Sequence, residues 1–91
     1  MSLNDTFREM KNFHNELSRF NENLRSSMSD LHKNHDQVSP LWQDDMRKEY
    51  DSQWREFDEM MKNYTNREGP AYVQFLDQKL KALAGYLRQQ R

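Results

Sequence analysis

Apolar residues recur along this chain at helical intervals in three separate stretches. In the first, Leu3, Met10, Leu17, Leu24 and Leu31 follow one another every seven residues. Phe13 and Phe20 lie three residues beyond Met10 and Leu17, while Phe7 and Met28 widen the stripe. This is a heptad seam with two aromatic "d" sites, suited to packing against antiparallel neighbours. It predicts a helix over 3–34, about 45–50 Å long at the α-helical rise. Thr6 and Glu9 have capping-box spacing, which would leave the first residues as an arm.

In the second stretch Trp42, Met46, Tyr50, Trp54, Phe57, Met61 and Tyr64 are separated by steps of three or four. One continuous apolar stripe results. Ser39 suits an N-cap and Pro40 the first helical position, where a missing N–H costs nothing. Asp44 and Asp45 then sit near the positive end of the helix dipole. The pattern predicts a helix over 40–66 with Trp42 inside its first turn. Its opposite side is charged, and Asp51 with Arg55 and Asp58 with Lys62 are spaced for i,i+4 pairing.

The third stretch places Val73, Leu80 and Leu87 seven apart, with Leu76 and Leu83 between them and Tyr72 and Tyr86 at the flanks. Gly69-Pro70 precedes it and should end one helix and start the next, over 70–89. The expected fold is all-α: an antiparallel three-helix bundle forming a single domain, 1–91. The alternative is a two-helix hairpin whose long second helix is kinked at Gly69-Pro70. Length argues for the break, because stretches two and three joined would run about 75 Å and outreach the first helix.

Composition narrows the class. Hydrophobic residues make up 34% and charged residues 32% of 91 positions, so the core must be thin. Only three Ala accompany the large apolar residues, and a domain this small gains from self-association. Fourteen basic residues against fifteen acidic give no electrostatic case for nucleic acid. The signs are segregated, however. Residues 40–68 hold eight acids and five bases, while residues 69–91 hold four bases and one acid. The expected use of this asymmetry is complementarity within the fold. The basic residues of the third stretch are Lys79, Lys81, Arg88 and Arg91, a weak nucleic-acid footprint.

With no Cys, disulfide scaffolds and thiolate chemistry are excluded. No apolar run approaches a membrane span, and no secretory signal core is visible. A cytoplasmic location is the expectation, with export lacking a cleavable signal as the alternative.

Candidate chemistry is sparse. His32 and His35 are three apart with Asp30 and Asp36 nearby, which is only a partial metal set. Histidines near a helix C-terminus are also favoured by the dipole alone. No Glu-x-x-His, phosphate loop, nucleophile elbow or His-Glu-x-x-His occurs. No catalytic residue, metal or cofactor is expected, and the chain reads as a non-enzyme. The distinctive feature is the aromatic stripe of the second stretch. Burying Trp and Tyr demands partners for their polar atoms, and both are enriched at interfaces. The first expectation for this stripe is core packing against the first and third helices; the alternative is a rim or interface role, with Trp42, Tyr50 and Trp54 the candidate partner-binding residues.

Trp42, with Tyr50 eight residues on, and Tyr64 with Glu68 in a Tyr-x-x-x-Glu arrangement resemble the Trp-x-Gly family of small helical hairpins. The likeness covers roughly residues 35–68, and Asp44 stands where that motif carries Gly. It implies a Trp in the turn between two long helices, export by a type VII system, and action as a dimeric partner or adaptor. The residues themselves favour a small non-enzymatic interaction or adaptor domain whose partner is protein, a second copy first of all. The exported hairpin is the alternative.

Overall fold

In the computed structural model, which describes residues 2–89, the chain is all-helical and folds as a two-armed hairpin. Helix α1 covers Leu3–Val38. Ser2 caps it: the Asp5 N–H donates to Ser2 Oγ at 3.1 Å, and the Ser2 N–H donates to Asp5 Oδ2 at 3.4 Å. This reciprocal box starts the helix at residue 3, as the apolar stripe predicted, and lies one turn before the alternative Thr6–Glu9 pair. Thr6 is instead helical, its hydroxyl donating to the Ser2 carbonyl. Leu3–Asp5 belong to the helix, as the expected start at residue 3 has it, and form no arm.

Nothing between Leu3 and Ser39 is Gly or Pro, so α1 continues past residue 34. At Ser39–Leu41 the chain tightens into a 3₁₀ turn containing Pro40. Ser39 and Pro40 therefore close the first arm, where they were expected to open the second helix. Helix α2 begins later and covers Met46–Asn63. Its start depends on Asp44, which accepts from the Met46 N–H through Oδ1 at 3.0 Å and from the Arg47 N–H through its carbonyl at 3.1 Å. Trp42 is extended (φ −91°, ψ 112°) and lies in the turn.

The expected three-helix bundle does not form. A π-helical turn, Tyr64–Glu68, joins α2 directly to helix α3, Gly69–Gln89. The second arm thus runs unbroken from 46 to 89. The length argument fails because both ends of the gap shift: the first arm reaches Leu41, and the second starts at Met46. The arms are then nearly matched in a molecule of 69 × 20 × 16 Å. Gly69 and Pro70 stay helical, with Gly69 at φ −61°, ψ −55°. Glycine is used there for space. A Cβ would stand 3.1 Å from the Tyr64 carbonyl oxygen and 3.2 Å from the Asn21 side chain.

Two arms bury one seam each, and only Met28 and Leu76 are buried apolar residues among those described. The backbones approach most closely where α1 meets α3. Toward the turn the space between α1 and α2 is filled by rings, chiefly His35 and Trp54, stacked at 4.3 Å.

Candidate interaction surface

The heptad seam of α1 is wider than one neighbour can cover. Phe13 and Phe20, seven residues apart, project from the same side of α1. Phe13 meets the edge of Tyr72 at 6.3 Å, and Tyr72 lies 6.1 Å from Phe75, both on α3. Phe20 meets Tyr64 edge-on at 6.4 Å and, with Met60, lines a shallow apolar concavity of about 400 Å³. Asn63 and Glu68 form its polar edge, the amide donating to Glu68 Oε1 at 2.9 Å. Phe13, Phe20, Met60, Tyr72 and Phe75 are all between 48% and 62% exposed. They form a ridge of large apolar side chains along one side of the hairpin, crossing from one arm to the other. Sequence reasoning placed Phe13 and Phe20 in the seam and Tyr72 at its flank, and left Met60 and Phe75 out. Both lie off the apolar stripes of their stretches, so periodicity gave no signal for them.

Trp42, Tyr50 and Trp54 are brought together at the turn, and all three face inward in part. The Trp42 indole N–H donates to Asp44 Oδ1 at 2.6 Å, and its ring lies 5.1 Å from Tyr50. The Tyr50 hydroxyl and His35 Nδ1 share a hydrogen bond of 2.9 Å. The His35 ring is stacked against Trp54, which also meets His32 at 5.5 Å. Of the three aromatics expected to bind a partner, Tyr50 and Trp54 fasten α2 onto α1 through His35 and His32, while Trp42 is held by Asp44 and Tyr50.

Both histidines of the partial metal set are engaged separately. His32 Nε2 is 2.7 Å from Asp58 Oδ1, a buried oxygen without an aligned hydrogen-bond donor among the described residues. Lys62 Nζ approaches the other Asp58 oxygen at 3.1 Å. No three His, Asp or Glu side chains among the described residues converge as a metal set. The basic residues of α3 are spread out: Lys79 lies over the Phe75 ring at 5.4 Å, and Lys81 pairs with Asp77 at 3.1 Å. Arg91 lies outside the described residues. No described helix is long and apolar enough to cross a membrane.

Tyr64 and Glu68, the pair with export-motif spacing, both lie in the π-turn midway along the second arm. The Tyr64 hydroxyl donates to Asn21 Oδ1 at 2.7 Å. Comparison with known protein families, with curated proteins and with solved structures returns no match for this chain.

Proposed function

We propose that this chain is a non-enzymatic helical interaction or adaptor protein that acts by pairing with a second copy of itself. The observation that carries this reading is the uncovered ridge of Phe13, Phe20, Met60, Tyr72 and Phe75. Contiguous exposed apolar surface on a small polar protein marks an interaction site. A two-armed hairpin completes its core by adding two more helices, as in a four-helix bundle. A two-fold pair places the same ridge on both sides of the interface, so the ridge need only complement itself.

Charge fixes the direction of pairing. Within the second arm, residues 46–68 carry an excess of acids and residues 69–89 an excess of bases, one after the other. They therefore do not neutralise each other across the hairpin. In an antiparallel pair each acidic α2 lies beside the basic α3 of its partner, and opposed potentials set orientation and association rate. Sedimentation equilibrium at high micromolar concentration checks the reading. The wild-type chain is expected at twice its 11.2 kDa mass, and Phe20→Glu at the single mass. A wild-type monomer under these conditions contradicts it.

A second reading has its own supporting observation. Trp42 lies in the turn, as the resemblance to exported Trp-x-Gly hairpins implies. On this reading the protein leaves the cell through a type VII system without a cleavable signal, where the first reading has it cytoplasmic. Recovery of the chain from culture medium, lost on Glu68→Ala, supports export. Retention in the cytoplasm of cells with a working type VII system removes it.

A further inference from the structure

The second arm carries one residue too many for a straight seam. Its inward positions near the crossing with α1 are Met61, Thr65, Gly69 and Val73, all spaced by four. Three such steps carry a seam about 120° around an unbroken α-helix. The π-turn pairs the Gly69 N–H with the carbonyl of Tyr64, five residues back. It takes an extra residue into one turn and cancels most of that drift. This is what returns α3 to α1 and sets Tyr72 against Phe13.

The turn carries a defect that α1 repairs. In the same five-residue register the next donor would be residue 70, and the next acceptor Thr65. Pro70 has no N–H, so that carbonyl lacks its backbone donor. Arg25 of α1 supplies one: its Nη2 donates to the Thr65 carbonyl at 3.2 Å. One turn earlier, Asn21 Oδ1 accepts from the Tyr64 hydroxyl, and the same amide sits against Gly69. The Thr65 hydroxyl donates to the Met61 carbonyl at 2.9 Å, serving a carbonyl at the α-to-π junction.

We propose that Asn21 and Arg25 are positioning residues for the pairing ridge. They hold Tyr64–Glu68 in the π register, and so determine that Tyr72 and Phe75 stand beside Phe13 and Phe20. The inference rests on the self-association reading for its functional consequence, but not for the existence of the lock. Arg25 stands in for the N–H that Pro70 lacks, so its importance must depend on that proline.

The experiment is a cycle of Arg25→Met and Pro70→Ala in the full chain. Unfolding midpoints are measured at low concentration, and association constants by sedimentation. Arg25→Met is expected to weaken association about tenfold with unchanged far-ultraviolet helix content, as loss of one charge-assisted bond implies. In the Pro70→Ala background, where the substituted alanine supplies the N–H, Arg25→Met should cost less than about threefold. Asn21→Ala should weaken association in both backgrounds. Equal Arg25→Met effects on the midpoint with and without Pro70 overturn the lock. Coupled midpoints with unchanged association overturn its role in pairing. A wild-type chain that never associates removes the functional reading and the pairing role, while the midpoints still decide the lock.

Discussion

Gly69 and Gly85 occupy the same arm and have opposite roles. Gly69 is buried against Asn21 and the Tyr64 carbonyl, whereas nothing approaches within 4 Å of a Cβ built on Gly85. Gly85→Ala is therefore expected to stabilise the chain by about 0.5–1 kcal/mol through backbone entropy and helix propensity. Gly69→Val should destabilise it by about 1–3 kcal/mol, because a branched side chain overpacks the crossing. Chemical denaturation followed by circular dichroism reads both. A Gly69→Val midpoint at or above wild type contradicts the crossing described here. The sequence marked position 69 as special without showing why. Gly next to Pro ordinarily signals a break, and the close approach of Asn21, 48 positions away, leaves no local trace.

At the scale of elements, stripe periodicity was legible and boundaries were not. All three stretches are helical, but Ser39-Pro40 imitates a helix start so well that the true start at Met46 is hidden. Asp44 is the residue that matters there. It serves the Met46 N–H and the Trp42 indole with a single carboxylate oxygen. Asp44→Ala should lower stability by about 0.5–2 kcal/mol, the range for a lost helix cap. It should also release the Trp42 indole, visible as a red shift of its emission in a Trp54→Phe background. Unchanged stability and emission would remove Asp44 from this role. Capping logic placed Trp42 inside a helix, whereas the chain holds it extended in the turn. The Asp44 carboxylate holds that Trp, accepting from its indole N–H.

At the scale of the whole molecule, the sequence offered enough apolar surface for three helices, and the fold brings two arms together. The surplus is the ridge. The thinness of the core was legible from composition; which face remains open depends on the π-turn, which no periodicity reveals. If the opposed charges along the arm set the direction of the proposed pairing, that pairing is salt-dependent. Raising ionic strength from about 0.05 M to about 0.5 M should weaken pairing several-fold without changing helix content, since exposed charges are screened. Salt-independent association would leave the ridge in place but remove charge as the source of direction.

The proposed pairing is most directly tested by one distance. The chain has no Cys, so Gln43→Cys places a single spin label at the turn of each copy. Dipolar spectroscopy on the labelled full chain then measures turn-to-turn separation. Antiparallel pairing in a molecule 69 Å long predicts a narrow distribution at roughly 50–70 Å, set by the length of the arms. A separation below about 25 Å, as in a parallel pair with turns side by side, or no dipolar modulation at high micromolar concentration, would contradict it.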